Sequence, residues 1–174
     1  HRQERSHALN TARIAELGLA RCELHVVTDA PVEATLPAAL LAELDNALLI
    51  YPGQQSSDVA QLDAAAVATK PLLLLDASWR KSRRLLLTSS WLQTLPRVSF
   101  AMQTLSRYRI RREPQAHYRS SLEAACMVLG SLEQNHEKYQ PLLATMDFMV
   151  EQQIAQMGET TFRCNYLDEQ DDNH

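Results

Sequence analysis

The chain predicts an α/β fold, a mostly parallel sheet with helices on both faces. Three observations carry this reading. Short apolar runs, ALLIY at 47–51 and LLLL at 72–75, alternate with segments of helical pattern. Strands covered on both faces read as continuous apolar runs, and their alternation with helices builds a parallel sheet. Turn residues close each run: Pro52-Gly53 after the first, Asp76-Ala77-Ser78 after the second. At 174 residues and 45% hydrophobic content, the chain is long enough for one domain with a real core.

Taken in order, residues 1–10 are polar and basic, and residues upstream of His1 are expected. Residues 11–19 read as a helix capped at Asn10 or Thr11, with Gly18 near its end. CELHVVT at 22–28 is expected to be a strand, and Pro31 and Pro37 bracket a linker. Residues 36–44 form a short helix, and 47–51 a buried strand. Ser56-Ser57-Asp58 reads as the cap of a helix running through Val67. Pro71 precedes the strand at 72–75, and Ser78 can cap a helix from 79 to about 88. A short helix at 91–95 stops at Pro96, and RVSFA at 97–101 is the fourth strand.

Residues 102–119 break this rhythm with a long Arg-rich connection, and such a loop in a compact domain is usually functional. Two helices follow. Leu122, Ala125, Cys126, Leu129 and Leu132 line one face of the first; Leu142, Met146, Met149, Ile154 and Met157 line a face of the second. Both stripes read as core packing. One domain is expected over 1–167, and the acidic segment 168–174 (Asp168, Glu169, Asp171, Asp172) is expected to be disordered.

Net charge is −4, which argues weakly against nucleic acid, but nine of the 17 Lys and Arg fall in 80–84 and 107–119. No apolar run reaches the length of a membrane-spanning helix, so no membrane partner is expected. Three widely spaced cysteines (Cys22, Cys126, Cys164) give neither a disulfide framework nor a zinc site, which suits a reducing cytoplasm. The six histidines are scattered without metal spacing, so no metal is expected. With four glycines, no Gly-rich phosphate loop is present.

The chemistry concentrates in LLLLDASWRKSRR, residues 72–84. It places a carboxylate, a large aromatic and four cations at the C-terminal edge of a sheet, where open α/β folds bind ligands. Asp76 either binds backbone amides of the turn or serves as a hydrogen-bond acceptor or modest base. Trp79 either anchors the core or walls a pocket beside a flat ring. Arg80, Arg83 and Arg84 share a helix face with no interleaved acid; a solvated face and phosphate binding both fit. Arg107, Tyr108, Arg109, Ile110, Arg111 and Arg112 alternate cation with apolar residue, as an outward-facing edge strand or a single-stranded RNA contact does. Ser120-Ser121-Leu122-Glu123 is a capping box, and the same helix start can take a carboxylate or phosphate. Tyr51-Pro52-Gly53 is a turn on the Asp76 edge, and its glycine lets a ligand approach the backbone.

Together these pieces resemble the DTW-domain family, named for an Asp-x-Thr-Trp signature after a buried strand. It stands here as Asp76-Ala77-Ser78-Trp79, with Ser keeping the hydroxyl of Thr and Ala77 where the family often has Gly. His1, Glu4, Asn10, Thr11 and Arg13 look like the family's early stretch; Leu49-Ile50-Tyr51-Pro52-Gly53 looks like its strand end. Ser120-Ser121-Leu122-Glu123-Ala124 looks like its helix start. Four motifs in family order span nearly the whole chain.

The resemblance implies a tRNA-uridine aminocarboxypropyltransferase that moves the 3-amino-3-carboxypropyl group of S-adenosylmethionine to N3 of a uridine. It implies a SPOUT-like sheet with a C-terminal trefoil knot holding the cofactor. A cysteine-rich segment often precedes this domain in the family; no zinc is assigned here. On this reading Asp76 and Trp79 are the catalytic candidates. Tyr51, Pro52, Gly53, Ser78, Leu105, Ser120, Ser121 and Glu123 are the cofactor-binding candidates. Arg80, Arg83, Arg84, Arg109, Arg111 and Arg112 are the tRNA-binding candidates. A monomer is favoured. The alternatives are a SPOUT-type RNA methyltransferase, with the same cofactor and a different carbon transferred, and an RNA-binding module without cofactor.

Overall fold

The computed structural model describes residues 11–101, 106–110 and 119–166. The helices are α1 Thr11–Gly18, α2 Ala38–Glu43, α3 Ala64–Val67, α4 Trp79–Thr88, α5 Ser90–Thr94, α6 Ser121–Leu132, α7 Gln140–Met157 and α8 Glu159–Tyr166. The strands are β1 Leu48–Ile50, β2 Ser56–Asp58, β3 Leu72–Leu74 and β4 Arg97–Ser99. They form one sheet of order β2-β4-β1-β3 in which every pairing is parallel. Leu49 lies opposite both Leu73 and Arg97, which places β1 in the sheet interior.

Alternation along β1 and β3 sends side chains to two different layers. Leu49 and Leu73 pack with Leu85, Leu86, Leu92 and Leu95 from α4 and α5 and the turn that follows. Leu48, Ile50, Leu72 and Leu74 pack with Val59, Val67, Val98 and Val128 on the other face. The sheet is therefore covered on both sides, as the unbroken apolar runs predict. A third core joins α1, α6, α7 and α8 through Ile14, Leu122, Cys126, Met146, Val150 and Phe162. Helix α6 serves two cores: Leu122 and Cys126 face the helical one, Val128 the sheet. Burial, then the nearby Glu123 carboxylate, push the Cys126 thiol up to about 11, so it behaves as an inert core side chain.

Two local expectations are corrected. Residues 22–28 form no strand; Leu24 and Val26 remain 39% and 42% exposed, and no described strand pairs with them. The remaining strand is β2, whose Ser56-Ser57-Asp58 were expected to be a helix cap. It lies at the sheet edge beside β4, its one strand partner among the described residues, where no apolar run is needed. Ser56 is held there by hydroxyl bonds to the Gly53 carbonyl (2.7 Å) and to Ser99 Oγ (2.9 Å). Asp58 instead caps a 3₁₀ turn at Val59–Gln61, and Asp63 caps α3. Asn10 and the segment 168–174 lie outside the described residues.

Glu33 fastens the linker to α5. It accepts from the Ser90 amide and hydroxyl, both at 2.9 Å, and from the Ser89 hydroxyl. Burial alone would raise its carboxyl, but these hydrogen bonds outweigh it and hold the group down at about 2, against 4.5 normally. Folding thus favours the ionised form. The resulting stability is present above pH 4.5 and is lost as pH falls toward about 2. Glu33→Gln is expected to lower stability at neutral pH and to flatten its decline across that acid window. Urea melts at several pH values check this; parallel pH curves for both proteins would contradict it.

Candidate active site

Parallel strands bring their carboxyl ends to one edge, and the crossovers decide where that edge opens. The connection from β2 to β3 crosses the face carrying Val59 and Val67; the one from β3 to β4 crosses the opposite face with α4 and α5. β1 and β3 are neighbours, so their carboxyl ends lie side by side at the edge where open α/β sheets take ligands.

Tyr51 directly follows β1, and Trp79 opens α4 after β3. Their rings stack at 5.2 Å between centroids with a 13° tilt. Tyr51 is buried and Trp79 only partly so, giving this edge a flat aromatic wall. Pro52 and Gly53 are exposed beside it. Gly53 is not among the residues at positive φ, and a Cβ there meets nothing within 4 Å. Neither the backbone nor the packing demands a glycine at that turn.

Asp76 lies between β3 and Trp79, and Ser121 in the first turn of α6 donates its hydroxyl to Asp76 Oδ1 at 2.6 Å. This contact joins the signature stretch to the capping-box helix across 45 residues of sequence. Ser78 occupies the N-cap position of α4, but its side chain makes no capping hydrogen bond.

The capping box of α6 is complete. The Ser120 hydroxyl takes the Glu123 amide at 3.3 Å, and Glu123 accepts the Ser120 amide at 2.8 Å. Glu123 is 4% exposed and also accepts from Ser106 Oγ at 2.8 Å and the Arg107 amide at 2.7 Å. Its carboxylate thus ties the basic connection onto α6, a use the sequence does not reveal. Ser120 is buried, and its hydroxyl also meets Met146 Sδ at 3.3 Å.

The cations separate into two groups. Arg80, Arg83 and Arg84 are exposed on α4, as their spacing requires. Arg84 faces Asp29 at 3.8 Å, whereas Arg80 and Arg83 form no ion pair among the described residues. On the helical core, Arg107 pairs with Asp147 and Arg109 with Glu151, both acids of α7. Arg109 is thus partly neutralised locally, a partnership sequence spacing could not show. Leu105, Arg111 and Arg112 lie outside the described residues.

Sequence reasoning also passed over Arg119. Its two terminal guanidinium nitrogens are buried with no hydrogen-bond partner among the described residues. It belongs to the 107–119 basic window, but nothing in its neighbours' identities announces that burial.

The sheet thus carries a stacked aromatic pair and a hydrogen-bonded carboxylate at its carboxyl edge, the edge where α/β proteins bind ligands. The family is settled by comparison. The DTW domain model matches residues 1–154, and the chain belongs to that family. Two similar curated proteins are both named tRNA-uridine aminocarboxypropyltransferase 2. The Mus musculus protein is 23% identical over 171 residues, covering 96% of this chain and 57% of that protein. The Drosophila melanogaster protein is 28% identical over 158 residues, covering 88% of this chain and 62% of that protein. The chain thus spans about three-fifths of the length of these relatives. No solved structure matches it.

Proposed function

We propose that this chain transfers the 3-amino-3-carboxypropyl group of S-adenosylmethionine to N3 of a uridine in tRNA. The observation that carries the proposal is the Asp76–Ser121 hydrogen bond, three residues from the Tyr51–Trp79 stack, where the ends of β1 and β3 lie side by side. Family membership and the names of the relatives support the choice of reaction.

The donor set fits such a cofactor. Trp79 offers an aromatic surface for a flat ring, Gly53 leaves room at the turn, and the start of α6 offers amides to a carboxylate. When bound, S-adenosylmethionine supplies a sulfonium-activated carbon: the N3–carbon bond forms, the carbon–sulfur bond breaks, and the sulfur keeps the electron pair in methylthioadenosine. Asp76 holds the uridine N3 proton and accepts it, or passes it to solvent, as N3 becomes the nucleophile. Ser121 fixes the carboxylate in place for that role. Tyr51 braces Trp79, and Pro52, Gly53 and Ser78 line the nucleoside position; Leu105 remains a cofactor-binding candidate from the family resemblance alone. Ser120 and Glu123 act indirectly, by holding the α6 start and the connection before it. Choosing the aminocarboxypropyl carbon over the methyl is a matter of positioning.

The SPOUT-like arrangement and its knot, a single domain over 1–167, a monomeric state and a cytoplasmic setting belong to the same proposal. Among the described residues no helix is long and apolar enough to cross a membrane.

By-product analysis tests the reaction. With tRNA and S-adenosylmethionine present, methylthioadenosine is expected; S-adenosylhomocysteine instead means a methyltransferase. No heat of cofactor binding in calorimetry favours an RNA-binding module without cofactor.

Arg80, Arg83 and Arg84, with Arg109, Arg111 and Arg112, form the proposed tRNA grip. Arg80 and Arg83 test it best, because Arg84 lies near Asp29. Arg80→Ala with Arg83→Ala is expected to weaken tRNA binding at low salt and to reduce the slope of log affinity against log salt by about 1–2. Cofactor affinity stays unchanged. An unaltered slope would make this helix face merely solvated.

A further inference from the structure

We infer that Asp147 and Glu151 of α7 compete with tRNA phosphates for Arg107 and Arg109, so that the protein holds part of its own RNA grip in check. The inference rests on the tRNA reading above, adds Arg107 to the grip and gives it an internal competitor.

Residues 106–110 are fastened to the helical core by other means than ion pairs. Tyr108 and Ile110 are buried in the cluster that contains Leu122, Met146 and Val150. Glu123 accepts from the Ser106 hydroxyl at 2.8 Å and from the Arg107 amide at 2.7 Å. The Ser106 hydroxyl oxygen accepts the Tyr108 amide at 3.1 Å. Arg107 and Arg109 alternate with the buried pair and keep 43% and 49% of their side-chain surface in solvent.

Their partners lie along α7. Gln140, Asp147 and Glu151 are spaced to share a helix face. Arg107 pairs with Asp147 and reaches Gln140 Oε1 at 3.5 Å, and Arg109 pairs with Glu151. The acids are 34% and 61% exposed. Pairs this open to water add little to stability, because solvent screens them and ordering two long side chains costs entropy. A connection held by two buried side chains and a buried carboxylate does not depend on them. What the acids change is the availability of the cations. A phosphate that meets Arg107 or Arg109 displaces a carboxylate, and the freed carboxylate takes up a cation from solution. Part of the counterion release that drives nucleic-acid binding is thereby cancelled.

The position ties this check to the reaction. Glu123, which accepts the Arg107 amide, stands in the first turn of α6 with Ser121, which holds Asp76. An RNA seated with its uridine at Asp76 therefore lies beside this connection. A polyanion that touches one arginine in passing gains little; an RNA seated at both overcomes both carboxylates.

The test is Asp147→Asn with Glu151→Gln, which keeps the side-chain shapes and removes both charges. Titrations with unmodified tRNA over a range of salt are paired with thermal melts of the free protein. The double variant is expected to bind tRNA about 2- to 10-fold tighter at low salt, the worth of two exposed ion pairs. The slope of log affinity against log salt steepens by about 1–2. The melting temperature falls by no more than about 4 °C. In an Arg107→Ala, Arg109→Ala background the same acid substitutions recover little of the gain, since the competition has no object. Weaker or unchanged tRNA binding overturns the inference, as does a variant that melts far lower or fails to fold, because the acids then pin the connection. An equal gain in both backgrounds also overturns it, since lower negative charge alone then suffices. Wild-type protein that binds no tRNA at low salt overturns the tRNA reading itself, and this inference with it.

Discussion

Asp76→Asn is expected to fold, to bind cofactor with wild-type affinity, and to lose transfer by about 10²- to 10⁴-fold. Asparagine keeps the size of the side chain and an acceptor for the Ser121 hydroxyl, which lies 2.6 Å from Asp76 Oδ1. It removes the proton acceptor. Ser121→Ala gives a graded comparison, since it takes one hydrogen bond from the carboxylate and leaves the charge. A loss of about 10-fold is expected there, the worth of one bond to a charged group. Single-turnover rates at saturating cofactor separate chemistry from binding. Asp76→Asn at full rate would remove Asp76 from the mechanism.

Glu123→Ala is expected to cost about 3 kcal/mol of stability, because it strands three donors that converge on one buried carboxylate. These are the Ser120 amide, the Ser106 hydroxyl and the Arg107 amide. For a chain of this size the melting temperature should fall by roughly 6–12 °C. Glu123→Gln is a milder change, retaining one acceptor oxygen while turning a second donor toward donors. The residues before α6 should also become more open to proteolysis, since Glu123 fastens them to the helix. A melting temperature within 2 °C of wild type, a threshold of roughly 1 kcal/mol or less, would mean that solvent replaces these bonds at little cost.

What the sequence reveals follows from how local each interaction is. β1 and β3 are legible because strands covered on both faces must be apolar, and their residues are; β4 is read from the RVSFA run, though within the strand only Val98 is apolar. β2 is not, because an edge strand of two serines and an aspartate needs only one neighbour and carries no apolar signal. CELHVVT has the composition of a strand, yet composition cannot say whether a partner exists, and Leu24 and Val26 stay in solvent. The capping box at Ser120 and Glu123 is legible because both partners lie within one helical turn. The further duty of Glu123 toward Ser106 and Arg107 is not, since it depends on how the connection folds back.

The site divides the same way. The DASW stretch and the YPG turn are visible separately as motifs, while the Tyr51–Trp79 stack and the Asp76–Ser121 bond are products of topology. Parallel pairing puts the ends of β1 and β3 side by side, and α6 then returns its first turn to Asp76. Arg109 shows the limit in reverse. Its spacing invites an RNA contact, but an acid on α7 meets it first. Arg119 is missed because burial without a partner among the described residues is a property of the packed chain alone.

Double labelling tests the proposed chemistry most directly. S-adenosylmethionine carrying one isotope in its aminocarboxypropyl chain and another in its methyl group is incubated with tRNA and the protein. The RNA is then digested to nucleosides for mass spectrometry. The expected result is a uridine carrying the aminocarboxypropyl label, with the methyl label retained in methylthioadenosine. Methyl label in the RNA, or neither label on any nucleoside, would contradict it.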